Sequence, residues 1–248
     1  MKIKNCLNAL LAATAATLIM ATPAQATLQA RDLNGDGVTD AFYDTTLNIT
    51  WLRNADVNGL MDWSSAVAWV AGYSFGGYSD WRLPTMVDTG TPDCNFSSAG
   101  GTGATDCGYN VQTTSGSTVY SEMASLWYDT LGNKAFCPPG DASCLVAPQT
   151  GWGLTNRGDF LNLQGNFYWS GLEYATSPDV AWYFDAYDGG QDGAYEGNHF
   201  YALAVRPGDV AGAQVPEPET LVLALTALAG LGLFRRRRPV GTLNPMGS

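Results

Sequence analysis

The chain has 248 residues, of which 46% are hydrophobic, with 23 acidic against 12 basic side chains, one histidine and five cysteines. That length accommodates one ordinary domain plus sorting segments, and the net charge of −11 repels nucleic acid phosphates, anionic lipid and sulfated glycans. Residues 27–214 are more acidic still, with six basic and 21 acidic side chains for a net of −15, so neutral, cationic or divalent-metal partners are expected.

Residues 1–26 open with Lys2 and Lys4, continue through "LNALLAATAATLIM" and close on "ATPAQA". A basic start, an apolar run and small residues at Ala24 and Ala26 predict a secretory signal peptide cut after Ala26. The rival reading, a membrane anchor, requires about 20 apolar residues, and this run is shorter. Cys6 precedes the run and leaves with the leader.

Residues 27–39 contain "DLNGDGVT", which Asp40 completes as "DLNGDGVTD". Asp32, Asn34, Asp36 and Asp40 fall at positions 1, 3, 5 and 9 of an EF-type calcium loop; Gly37 stands at the turn, and Val38 offers its carbonyl. Position 12 is Tyr43, with Asp44 one place late. A calcium site lacking that bidentate acid is expected to be weak or differently formed. The competing reading is a solvated Asx-rich turn.

Residues 40–209 read as the globular domain. "AFYDTTLNITWLR" predicts a hairpin turning at Thr45 to Asn48. Asp62 is placed to cap a helix over "WSSAVAWVAG", with Trp63, Val67 and Val70 on one face and a stop at Gly72. A second helix is predicted over "SEMASLWYDTLG", where Met123, Leu126, Trp127 and Leu131 recur at helical spacing and Gly132 ends the run. From Asn166 onward, "FYWSGLEY", "VAWYFDAYDG" and "HFYALAVRP" predict an antiparallel sheet. Helices followed by a sheet make the fold class α+β.

Four cysteines remain after leader removal, and three disulfide connectivities are open to them. Cys94 and Cys107 bracket "NFSSAGGTGATD"; Cys137 and Cys144 bracket "PPGDAS". Nearest-neighbour pairing is the simplest, since each bridge staples one weak loop, the longer by about 3 kcal/mol. Zinc is disfavoured by the lack of a C-x-x-C pair and by the single histidine.

Alternation in "AWYFDAYDG" puts Trp182, Phe184 and Ala186 on one face and Tyr183, Asp185 and Tyr187 on the other. An outward Tyr-Asp-Tyr stripe stacks on sugar rings or, alternatively, is ordinary cross-strand packing. Arg82 and Arg206, set in apolar strings, are expected to pair with acids. His199 has no marked partner and reads as structural or surface, so no catalytic residue is assigned.

The chain closes with a linker at 210–214 and a three-part tail at 215–238. Pro216-Glu217-Pro218 precedes the apolar run Leu221 to Phe234, which is followed by Arg235, Arg236, Arg237 and Arg238; residues 239–248 trail behind. As a helix the run spans about 21 Å, against roughly 30 Å of hydrocarbon. The arginines are expected to stay cytoplasmic and the acidic domain outside. An ordinary single-span anchor predicts the same topology without processing.

Those tail elements resemble the PEP-CTERM sorting domain, which implies recognition by a membrane exosortase that removes the helix. "GGYSDWRLPT", "SEMASLWYDTLGN", "FYWSGLEY" and "YALAVRPG" resemble the Lcl C-terminal domain family, which implies a C-type-lectin-like fold with long loops. The Glu-Pro-Asn, Gln-Pro-Asp and Trp-Asn-Asp strings with which such lectins hold calcium and sugar do not occur here, so that chemistry is not carried over. The expected protein is exported, non-enzymatic and adhesive or structural, on the cell surface or in the exopolysaccharide matrix. Its alternatives are a calcium-assisted module binding neutral glycan and a hydrolase.

Overall fold

β-branched and aromatic residues interrupted by Asx-rich turns build the first sheet of the computed structural model, which describes residues 28–89, 106–141 and 147–210. Its strands β1 (Leu28–Arg31), β2 (Ala41–Asp44), β3 (Ile49–Leu52) and β10 (Val205–Pro207) are all antiparallel, in the order β1-β2-β3-β10. The expected hairpin is the β2–β3 pair. Asp44, fully buried, shapes its turn by accepting from the amides of Thr46 and Leu47 at 2.9 and 3.0 Å. Every residue of β3 is buried, because apolar residues cover both of its faces.

Helix α1 (Trp63–Gly72) starts where Asp62 accepts from the Ser65 amide at 2.8 Å. Its buried stripe is Ala66 and Val70, flanked by the partly buried Trp63 and Tyr73, whereas Val67 is 36% exposed. The expected placement of Val67 on the packed face is therefore corrected. A stripe through 63, 66, 70 and 73 faces the core, and residue 67 falls beside it on the solvent side. The second helix is shorter and wider than expected: α2 (Glu122–Ala124) passes into a π-helical segment (Ser125–Thr130). Met123, Leu126, Trp127 and Leu131 are nevertheless all buried, and Gly132 leaves the helix at φ 69°.

The second sheet has the order β4-β9-β8-β7, with β4 (Gly108–Tyr109), β7 (Phe167–Glu173), β8 (Val180–Asp185) and β9 (Gly190–Tyr195); β5 (Thr114–Ser115) and β6 (Thr118–Val119) form a separate hairpin. Trp182, Phe184 and Ala186 point inward as the alternation predicts. Strand β9, "GQDGAY", was not expected: its glycines and polar residues carry no apolar alternation, and its pairing with β8 places it in the sheet.

Trp51, Trp127, Tyr168, Phe184, Leu203 and Val205 form the main core, and Trp81, Trp169 and Ala204 belong to a second cluster. The Trp81–Thr85 string stitches the two sheets together. Arg82 exchanges both backbone hydrogen bonds with Val205, at 2.8 and 2.9 Å, while the Pro84 carbonyl accepts from the Gly171 amide at 2.8 Å and from Ser170 Oγ at 3.0 Å. The Arg82 guanidinium grips buried Glu122 with two bonds of 2.7 Å, and Glu122 also accepts from the Thr85 amide at 2.8 Å. Arg206 pairs with Asp80 at 2.7 and 2.9 Å and lies over the Tyr78 ring.

This is an α+β domain, mostly antiparallel sheet with two short helices. Among the described residues no helix is long and apolar enough to cross a membrane. The expected leader (1–26), Pro216-Glu217-Pro218, the apolar run, Arg235 to Arg238, Cys94 and Cys144 lie outside the described residues. Cys107 and Cys137 are buried and each is disulfide-bonded.

Candidate functional site

Two surface features gather the candidate residues. The first is the β1–β2 connection, where the Asx-rich motif becomes a hairpin loop closed by the Asp40 amide donating to the Arg31 carbonyl at 2.8 Å. Asp32 sits at its centre: one carboxylate oxygen accepts from the amides of Asn34 and Gly35 at 3.2 and 2.7 Å, the other from Gly37 at 2.7 Å. That wrapping needs left-handed backbone at Gly35 and Gly37, with φ of 80° and 85°. The Gly37 amide, helped by those of Gly35 and Asn34, holds the Asp32 carboxyl below the usual carboxylate range.

Asp36 accepts from the Val38 amide at 2.8 Å and from Asn34 Nδ2 at 3.1 Å, while Asp40 accepts from the Leu33 amide at 3.0 Å. Leu33 is buried, which pins the loop to the core. Oxygens of Asp32, Asp36 and Asp40 lie within 4.8 Å of one another. An ionised carboxylate has about four lone-pair sites, so Asp36 and Asp40 keep acceptor capacity beyond their internal bonds, and a hard divalent cation is the chemical match. The twelfth position of a calcium loop does not contribute. Tyr43 lies in β2 and donates its hydroxyl to Asn48 at 2.9 Å, and the Asp44 carboxylate faces its own turn.

The second feature lies on the outward face of β8 and its turn into β9. Tyr183 packs against Phe167 and Phe200, with ring centroids 5.0 and 5.1 Å away, so cross-strand packing absorbs that residue. Tyr187, 56% exposed, stands apart at the end of a row of rings: Tyr187 meets Trp152 at 5.2 Å, Trp152 meets Phe136 at 4.9 Å, and Phe136 stacks on Tyr109 at 6.1 Å. Asp185 accepts from the Tyr187 amide at 2.8 Å. Burial, and next the neighbouring Asp188, push the Asp185 carboxyl up to about 7. Asp188 accepts from the Gly190 amide at 2.9 Å and from the Tyr109 hydroxyl at 3.0 Å. Burial also raises Asp192 and Tyr183, and for Tyr183 the charges of Asp192, Asp185 and Asp188 add to the effect.

The structure thus brings Tyr183 and Asp185 together but assigns Tyr187 to the ring row. Sequence reasoning missed Tyr109, Phe136, Trp152, Asp188 and Asp192. The acids were within reach, since "DAYDGGQD" carries three of them on one turn and its flanks. The rings arrive from three distant segments and leave no local signal. His199 is exposed, within electrostatic reach of the Asp62 cap. Against the second sheet, a cavity no larger than a water molecule is lined by Met86, Ser121, Tyr168, Phe184 and Gln191.

Residues 40–206 match the family model described as the Lcl C-terminal domain. The chain belongs to the Lcl C-terminal domain family. A second model, the PEP-CTERM protein-sorting motif, matches residues 214–238. That motif carries with it export, transient membrane anchoring and processing by an exosortase. No curated protein matches the chain. Within the Lcl C-terminal domain span fall both strings that stitch the sheets, Trp81–Thr85 and Val205-Arg206. The loop residues Asp32, Asn34, Asp36 and Val38, and the whole of β1, precede the span.

Proposed function

We propose that this chain is a non-catalytic cell-surface or exopolysaccharide-matrix protein, adhesive or structural in role, whose Lcl C-terminal domain is delivered by its sorting tail. The observation that carries this reading is the sorting motif at 214–238, joined to an acidic domain that charge keeps off nucleic acid and anionic lipid. In this reading Pro216-Glu217-Pro218 is the recognised tripeptide and Arg235 to Arg238 hold the cytoplasmic side of a short helix. The domain is C-type-lectin-like, and Cys94–Cys107 and Cys137–Cys144 are its bridges. The test is the size and membrane retention of the protein, tagged within the domain, in cells with and without an exosortase. Loss of the tail and release from the membrane only where the enzyme is present is expected; equal size and permanent retention in both would overturn the reading.

A second reading is favoured by the convergence of Asp32, Asp36 and Asp40 and by the exposed Tyr187 at the end of the ring row. In it the domain binds a neutral glycan with calcium bound at the β1–β2 loop. Tyr187 and Trp152 supply the apolar platform, and Asp185 accepts from sugar hydroxyls.

A further inference from the structure

Residues 208–210, which follow β10, are tied into the fold by several groups. Gly208, at φ 68°, reverses the chain after β10; its amide donates to the Asn48 carbonyl at 2.8 Å and its carbonyl accepts from Thr50 Oγ1 at 2.7 Å. The Asp209 carboxylate then receives both Nε and Nη2 of Arg31, at 2.7 and 2.9 Å. Arg31 is 2% exposed and is itself held by the Ala30 carbonyl at 3.0 Å, by Gln29 Oε1 at 2.8 Å and by the Tyr43 ring at 5.3 Å. Val210 is 1% exposed.

Arg31 and Asp209 both lie outside the family span of 40–206, one on each side of it. The pair thus bonds the two flanks of the matched span to one another. Strand β1 begins at Leu28, just after the predicted leader cut. On the expected cut after Ala26, the group that holds the root of the tail lies close to the start of the processed chain.

We propose that the Arg31–Asp209 pair, with Gly208 and Val210, is a latch that fastens the root of the sorting tail to the N-terminal strand and so fixes the point from which the tail departs. With the latch closed the chain is held through residue 210, and the six residues from 211 to Pro216 can span at most about 20 Å. A domain of this size is about 40 Å across, so its processing enzyme must work almost against the folded surface. An open latch releases residues 208–210 as well and adds about 10 Å of reach. The cellular consequence rests on the sorting reading above; the latch itself does not.

The test has two arms. In the first, the exported full chain, purified in detergent, is exposed to thermolysin, and cleavage at the Asp209–Val210 bond is timed. Asp209→Asn keeps the shape and leaves Arg31 its bonds to Gln29 and Ala30, so the domain keeps its circular dichroism. Cleavage is expected to be about tenfold faster than in the wild type and to return to the wild-type rate in Asp209→Glu. Equal rates in Asp209→Asn and wild type would overturn the latch whether or not an exosortase acts. In the second arm, cells with the enzyme express a chain lacking residues 211–214. Slow processing that Asp209→Asn restores is expected. An unprocessed wild type would refute the sorting reading alone, whereas a processed wild type with no rescue by Asp209→Asn would refute the latch's control of reach.

Discussion

Asp185 shows how a single residue acquires its character from neighbours that its own sequence context does not display. Its carboxyl is half-buried beside Asp188, and Asp188 is already engaged by the Tyr109 hydroxyl. An acid whose folded-state value is raised favours the fold most fully while protonated, below its unfolded value near 4. That contribution falls away as pH rises through about 7. Asp185→Asn keeps the acceptor for the Tyr187 amide and removes the charge. Its thermal midpoint is expected to exceed the wild-type value at pH 8, with the difference shrinking towards pH 4.5. Calorimetry at the two pH values checks this, and a variant equally or less stable at pH 8 would show that the pair is not electrostatically strained.

Among the elements, the β1–β2 loop is the one whose residues were most fully legible in advance. Its ligand-type side chains and turn glycines are contiguous, so spacing alone located Asp32, Asn34, Asp36 and Asp40. What spacing could not show was that Asp32 spends three acceptor positions on its own backbone while Asp36 and Asp40 retain more. If calcium binds there, millimolar calcium should raise the thermal midpoint by a few degrees, the scale of about 1 to 3 kcal/mol in a domain of this size. Asp36→Asn should abolish that rise and any chelator-sensitive glycan binding while barely changing the midpoint without calcium. No calcium-dependent shift in the wild type would retire the metal reading. Other elements were less legible for identifiable reasons. Strand β9 lacks apolar alternation and depends on β8 for its place. The helix at Glu122 reads as ordinary α because the four apolar residues keep helical spacing even where the turn widens to π.

For the molecule as a whole, the arginine contacts matter most, because they join parts of the chain far apart in sequence. Arg82 couples the β10 edge to buried Glu122, and the adjoining Pro84 carbonyl holds the second sheet. Arg82→Ala would leave the 4% exposed Glu122 charge without its cation, at a cost of about 3 kcal/mol. Urea unfolding should show that loss as a lower midpoint with an unchanged slope, and a loss under about 1 kcal/mol would mean the string holds the sheets by backbone bonds alone. The sequence by itself determined the α+β class, the first hairpin, the capped helix, the inward face of β8 and the sorting motif, since each follows from local periodicity, capping or contiguous motif residues. Only the tertiary structure decided which acid each arginine grips, that the rings of Tyr109, Phe136, Trp152 and Tyr187 form one row, and that Arg31 meets Asp209. Those pairings depend on strand order and register, which place residues side by side that no periodicity along the chain connects.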